Sequence, residues 1–333
     1  MSQVLVTGAN GHLGANTVRS LLNRGHQVVA FVRRDADLRG LEGLAVNLSY
    51  GDVTDYPSLT TAVQGCTHII HHAAAHKFWA SNELEISKPA LVGTYNILRL
   101  ARDTGIQRLV YTSSWVAVGS SYDPENLRTE NDWSEDQRNP YFIIKTRCER
   151  EALDLAQTFD VPMIRICPTF ALGPYDYRIT PSMGIILNLA SGRGTTWEGG
   201  INLVDVRDVA EAHAAALERG EIGGRYIVGG ENIHFKGLGQ LIARITGVTP
   251  RHDRTARRLA LVIAGFFNPA DQIEGMPPRL PKDLLHELHS RYAYYVTSLA
   301  DHAFGIDPRG AEEILRSCID WLVKIKALQP KNR

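Results

Sequence analysis

Tyr141 and Lys145 stand four positions apart in Tyr141-Phe142-Ile143-Ile144-Lys145. In a helix this spacing places both side chains on one face. A free phenol titrates at about pH 10, and a neighbouring ammonium favours its ionised form. Such a pair can exchange a proton with an alcohol or a carbonyl oxygen. Thr112-Ser113-Ser114-Trp115 closes an apolar, strand-like run, and a hydroxyl there could hold the same oxygen. On its own, Y-x-x-x-K is a common accident, equally met as a packed tyrosine beside a surface lysine. No His/Asp pair has hydrolase spacing, and the G-x-S-x-G elbow of serine hydrolases is absent.

A second motif changes the weight of the first. Val4-Leu5-Val6-Thr7-Gly8-Ala9-Asn10-Gly11-His12-Leu13-Gly14 sets three glycines between a β-branched run and an amphipathic one. Gly8 suits a tight turn, Gly11 lets the backbone approach a pyrophosphate, and Gly14 allows close packing of helix on sheet. The following helix start offers free N–H groups and the positive end of its dipole. Gly8, Asn10, Gly11, His12, Leu13 and Gly14 are therefore the expected dinucleotide-binding loop.

Around these motifs, short apolar runs alternate with amphipathic ones. Strands are expected at Val4–Val6, Val28–Val32, Ala45–Tyr50, His68–His71, Leu109–Thr112 and Met163–Cys167. Helices are expected at Leu13–Arg24, Leu59–Gln64, Ala90–Thr104 and Tyr141–Phe159. The alternation predicts an α/β fold, a doubly wound (Rossmann) parallel sheet with ligands outside the carboxyl ends of its strands. After about residue 170 the pattern shifts to Gly- and Pro-rich stretches and then helices (Leu238–Thr246, Thr255–Phe267, Lys282–His289, Ala311–Lys326), predicting a smaller, mainly helical C-terminal substrate lobe. The expected division is 1–168 plus 204–228 for the dinucleotide-binding domain and 169–203 plus 229–328 for the substrate lobe.

Composition removes other classes. The 333 residues carry 36 Lys plus Arg against 36 Asp plus Glu, which argues against a nucleic-acid footprint. Four scattered cysteines, without a C-x-x-C pair, exclude a disulfide framework and suit a reducing, cytoplasmic setting. No run approaches the ~20 apolar residues of a membrane span. The histidines at 68, 71, 72 and 76 lack a carboxylate or thiol partner in their segment, so sheet-end packing is preferred to a metal site.

The T-G-x-x-G-x-x-G spacing, Tyr141 to Lys145, His71-His72-Ala73-Ala74, Gly93 to Asn96, Arg165 to Gly173 and Asp205 to Ala210 together resemble the extended short-chain dehydrogenase/reductases. The resemblance is to the dihydroflavonol 4-reductase-like branch, which overlaps the 3β-hydroxysteroid dehydrogenase group. It implies Ser114 as the third catalytic residue beside Tyr141 and Lys145, with Ser113 as the fallback. It also implies Lys145 on the nicotinamide ribose, Asp52 and Val53 against the adenine, Ala73 and Ala74 along the ribose, and Pro168, Thr169 and Phe170 by the nicotinamide ring. Relatives carry Asn where this chain has Ala90, so a proton relay through that side chain is not expected. Their dimer surface corresponds to the helices at 90–104 and 141–159, which leaves a homodimer open beside a monomer.

The second strand ends on apolar Val32, where NAD-selective sites place an acid, and Arg33 follows; a guanidinium there favours NADP(H), with NAD(H) still possible. The expected activity is NADP(H)-dependent interconversion of a carbonyl and a secondary alcohol on a mid-sized, aromatic or polycyclic small molecule. Aromatics at Phe78, Trp79, Trp115, Tyr175, Tyr177 and Trp197 either border that substrate or belong to the core. The rivals are an NAD-dependent nucleotide-sugar epimerase or dehydratase and a non-catalytic dinucleotide-binding regulator.

Overall fold

The computed structural model describes residues 2–72, 83–135, 139–253 and 289–329. In chain order the elements are β1 (Gln3–Thr7), α1 (His12–Asn23), β2 (Gln27–Val32), β3 (Asn47–Tyr50), α2 (Tyr56–Ala62), β4 (His68–His71), α3 (Glu83–Thr104), β5 (Arg108–Thr112), α4 (Trp115–Val118), α5 (Pro140–Thr158) and β6 (Met163–Pro168). There follow β7 (Phe170–Leu172), α6 (Pro181–Ala190), β8 (Thr195–Thr196), β9 (Gly200–Asp205), α7 (Val206–Ala215), β10 (Arg225–Val228), β11 (Glu231–His234), α8 (Phe235–Thr246), β12 (Arg251–His252), β13 (Tyr292–Ala293), α9 (Ser298–Phe304) and α10 (Ala311–Lys324).

The main sheet runs β10-β6-β5-β4-β1-β2-β3, and every pairing in it is parallel. Strand periodicity explains its two covered faces. Val4, Val6, Val28, Ala30, Ile70, Val110 and Ile164 point into a core completed by Val18 and Leu21 of α1, Val209 and Ala212 of α7, and Phe304 of α9. Their sequence neighbours Leu5, Val29, Ile69, Leu109 and Met163 point the other way, onto Leu59 of α2, Ile97 and Leu98 of α3, and Ala152 of α5. The strand order reverses direction between β1 and β4, so a crevice opens at their carboxyl ends.

The smaller lobe packs α6, α8 and α10 around Trp197, Phe235 and Trp321. It also holds strands that the sequence pattern did not single out: β7, β9, β11 and β13 share one small sheet, and β8 pairs with β12. At two or three residues β7, β8, β12 and β13 are too short to display a period of two, whereas the longer β9 and β11 were simply not read. The segment 173–180 packs against α1. Asn16 Nδ2 donates to the Pro174 carbonyl at 3.0 Å, and the Arg19 guanidinium lies 3.5 Å from the Tyr175 ring centroid.

Three helix starts differ from expectation by three residues or more, α8 beginning at Phe235 rather than Leu238. The second helix begins at Tyr56 rather than Leu59, since Asp55 occupies the N-cap and Pro57 pre-forms the first turn. The third begins at Glu83 and carries Pro89 inside it, although a proline there reads as a boundary. The helices expected at 255–267 and within 282–289 fall outside the described residues, apart from His289. So do Ala73, Ala74, His76, Phe78 and Trp79.

Candidate active site

The glycine loop has the shape its sequence requires. Gly8 sits at φ +67, a left-handed conformation natural to glycine. Its carbonyl accepts the Gly11 amide at 3.0 Å. A Cβ on Gly14 would collide with the Gly8 carbonyl oxygen and come within 2.8 Å of Ala9 Cα. Helix α1 starts with Gly11 at its N-cap, with no side-chain acceptor and no acid in its first turn. No side chain of the N-cap or first turn occupies these N–H groups, which fits an anionic pyrophosphate. His12 is nearly buried, its Nδ1 3.9 Å from the carboxylate of Asp176. Asn10 Nδ2 donates to the Asp37 carbonyl at 3.2 Å, holding the turn after β2 beside the loop. Leu13 packs against the β1–β2 core.

At the end of β2, Arg33 is largely exposed, with Asp35 at 3.7 Å. Arg39, which sequence reasoning passed over, pairs with Asp37 on the turn that Asn10 holds. Asp52 turns its carboxylate back onto the amide and hydroxyl of Thr54 at 2.9 and 2.7 Å, as an ordinary turn aspartate does. Val53 is held by Asn96, whose Nδ2 donates to its carbonyl at 2.9 Å. That makes Asn96 a packing residue.

Ser114 meets Tyr141 beside these strand ends, and Lys145 lies one turn further along α5. Asn139 caps α5, its side chain accepting the Tyr141 amide at 2.9 Å, and Pro140 opens the first turn. Tyr141 and Lys145 are both buried. Ser114 caps the short helix α4, accepting the Val116 amide at 3.3 Å, and hydrogen-bonds the Tyr141 phenol. Burial raises the Tyr141 phenol well above its ordinary range, while the Ser114 hydrogen bond works in the opposite direction. Burial also lowers Lys145, opposed by Cys148, Cys167 and Glu149. Ser113 is spent elsewhere: its hydroxyl donates to the buried Glu149 carboxylate at 2.6 Å. Of the two adjacent serines, Ser114 thus meets Tyr141 and Ser113 meets Glu149. Thr169 lies buried at the β6–β7 junction between Pro168 and Phe170, its amide bonded to the Val228 carbonyl at 3.0 Å.

Three histidine contacts line the sheet end. His71 meets Thr7 Oγ1 at 2.7 Å. Thr112 Oγ1 lies 2.9 Å from both His72 and His213. Burial, aided by the Lys145 charge, drops His71 to about 3. Burial drops His213 to about 4 against the pull of the Val209 carbonyl. Both are therefore neutral at pH 7. The unfolded chain takes up these protons near pH ~6.5, so their contribution to stability is complete above that value and declines as pH falls toward the folded values. Each histidine accounts for at most ~1.4 kcal/mol per pH unit. The urea midpoint should fall between pH 6.5 and 4.5, and His213→Asn should flatten that slope by about one proton. Among the described residues, no group of three or more His, Cys, Asp or Glu is arranged to hold a metal, and no helix is long and apolar enough to cross a membrane.

The glycine loop and the site beside it fall within a region, residues 4–229, that matches the NAD-dependent epimerase/dehydratase family model. The chain belongs to this family. It is an NAD(P)-dependent oxidoreductase of the extended short-chain dehydrogenase/reductase type. It is 32% identical over 324 residues to a Synechocystis sp. protein with the provisional name dihydroflavonol 4-reductase, covering 95% of this chain and 93% of that one. It is 34% identical over 289 residues to sterol demethylase protein B of Methylococcus capsulatus, covering 85% and 86%. The crystal structure of gox2253 superposes with a TM-score of 0.86 at 30% identity, covering 99% of this chain and all of that one. The sheet order and the carboxyl-edge crevice of this family member follow the doubly wound pattern expected from its sequence.

Other parts of the site were not read from the sequence. Glu149, Arg165, Arg225 and His213 form buried polar contacts directly beneath it. One signal was available: Tyr141, Lys145 and Glu149 repeat at four-residue intervals, one face of one helix. Of the aromatics, Trp197 and Phe235 stack in the small-lobe core, and Tyr175 and Tyr177 both pack on Trp321. Trp115 stands edge-on to Phe142, next to Tyr141.

Proposed function

We propose that this protein uses NADP(H) to interconvert a ketone and a secondary alcohol on a mid-sized aromatic or polycyclic molecule. The observation that carries the reading is the buried Tyr141 phenol bonded to Ser114, one turn before Lys145 on α5 and beside the glycine loop. Names among its relatives include aromatic and polycyclic molecules: dihydroflavonol 4-reductase, sterol demethylase protein B and cinnamoyl-CoA reductase 1 of rice.

Gly8, Asn10, Gly11, His12, Leu13 and Gly14 hold the dinucleotide pyrophosphate, with Asp52 and Val53 by the adenine. Ala73, Ala74, Pro168, Thr169 and Phe170 line the nicotinamide half. A bound reduced nicotinamide supplies hydride to the carbonyl carbon. Ser114 holds the carbonyl oxygen, Tyr141 gives it a proton, and Lys145 places a positive charge beside the phenol and holds the ribose. Burial keeps Tyr141 protonated in the free chain, the state a proton donor requires.

The test is a ketone panel followed by NADPH and NADH absorbance in parallel. Turnover of aromatic or polycyclic ketones with NADPH supports the reading. Tightly co-purifying NAD with activity on a sugar nucleotide would replace it with an epimerase. Arg33→Ala should raise KM for NADPH about tenfold and leave KM for NADH within about twofold, because an exposed guanidinium contributes less than a buried one to a 2′-phosphate contact.

A further inference from the structure

We propose that Glu149 is a positioning residue for this site: through Ser113 it fixes the turn that presents Ser114, and through its charge it keeps Lys145 an ammonium. The inference rests on the function proposed above and extends it to a residue that touches neither substrate nor cofactor.

The Glu149 carboxylate is wholly buried. One oxygen accepts the Ser113 hydroxyl at 2.6 Å and Arg225 Nη2 at 2.9 Å. The other accepts Arg225 Nε at 2.6 Å and Arg165 Nη1 at 3.3 Å. Three elements, β5, β6 and β10, are thereby tied to the helix that carries Tyr141. Arg225 reaches further, donating to the carbonyls of Glu130 and Asp132 and stacking on Trp133 at 4.0 Å. Arg225 thus anchors the chain that leads toward Asn139, the cap of α5.

Two guanidiniums face one carboxylate, so the cluster carries a net positive charge only two turns from Tyr141. Lys145 adds another. The groups around Lys145 are Cys148 and Glu149 on α5, His71 on β4 and Cys167 on β6, and Glu149 in turn holds Arg165 and Arg225. His71 is neutral, and burial holds both thiols up, Cys148 to about 11 and Cys167 to about 12. Glu149 is accordingly the anion among these groups that offsets the arginines. Removing its charge while keeping its shape takes a favourable partner from the Lys145 ammonium one turn away on α5, which favours the neutral amine.

The test uses the full chain labelled with ε-carbon-13 lysine, with the Lys145 resonance assigned from Lys145→Arg. In Glu149→Gln, the Lys145 titration should move down by about one pH unit. In the same variant kcat for ketone reduction should fall at least about tenfold, with KM and NADPH affinity within about threefold, since a displaced Ser114 affects the reaction geometry more than binding. Glu149→Asp keeps the charge and shortens the reach, so its Lys145 titration should stay at the wild-type position while kcat falls. Ser113→Ala should lower kcat about fivefold with the titration unmoved. An unmoved titration or wild-type kcat in Glu149→Gln overturns the proposal. Should that variant not fold, a displaced titration in Glu149→Asp or wild-type kcat in Ser113→Ala does so instead. The titration needs no substrate, so it stands apart from the functional reading, which Tyr141→Phe tests.

Discussion

Tyr141→Phe should lose about a thousandfold in kcat for ketone reduction while binding NADPH within about threefold of wild type, because general acid catalysis is worth roughly 10²–10⁴. The substitution removes one oxygen from a buried ring. Phe keeps the edge-to-face contact with Phe142, and the α5 cap uses the backbone amide of residue 141, not its side chain. The fold should therefore hold, and melting curves would check it. The wild-type pH profile follows from the same phenol. Burial raises Tyr141, so it stays protonated through neutral pH and reduction needs no titration there. Alcohol oxidation needs the phenolate, so its rate should climb with pH, by up to about tenfold per unit. Near wild-type turnover in Tyr141→Phe would remove the phenol from the chemistry. An oxidation rate flat from pH 6 to 9 would mean that the proton leaves by another route.

Much of this arrangement was legible because its signals are local. The glycine motif, Gly8 to Gly14, is seven residues long, and Tyr141 and Lys145 lie one helical turn apart. The main strands stand out as short, continuous apolar runs, as strands buried on both faces do. Ser113 and Ser114 mark where local reading stops. Both end the same strand, and sequence alone ranks them only through family resemblance. What separates them in space is Glu149, 36 positions after Ser113, which draws one hydroxyl down into the core and leaves the other with Tyr141. The same holds for Arg225, whose partners at 149, 130 and 132 are distant in sequence and give no pattern along the chain. The short strands β7, β8, β12 and β13 were missed because two or three residues carry no period. Asp52 shows a different limit. A turn aspartate and an adenine neighbour have the same sequence signature, and its carboxylate is seen capping Thr54.

Gly14→Ala should give the second largest effect, in stability and cofactor binding together. The added methyl has no space: it meets the Gly8 carbonyl oxygen and Ala9 Cα, both backbone, so no side-chain rotation relieves the contact. Either α1 moves away from β1 or the Gly8 turn opens. Overpacking of this kind costs typically 1–3 kcal/mol and more where the backbone must shift. A loss of about 3 kcal/mol in a chain of this size lowers Tm by roughly 5–10 °C. Both escapes also spoil the phosphate cradle, because the N–H groups at the start of α1 no longer point where the Gly8 turn directs them. NADPH affinity should drop at least about a hundredfold, read from quenching of intrinsic fluorescence. Gly184→Ala separates this from a general cost of replacing glycine. Gly184 lies within α6 with nothing within 4 Å of a built Cβ, so alanine there should be neutral or stabilising by up to about 1 kcal/mol. If Gly14→Ala melts with wild type and binds NADPH normally, the loop does not hold the helix as closely as its geometry requires.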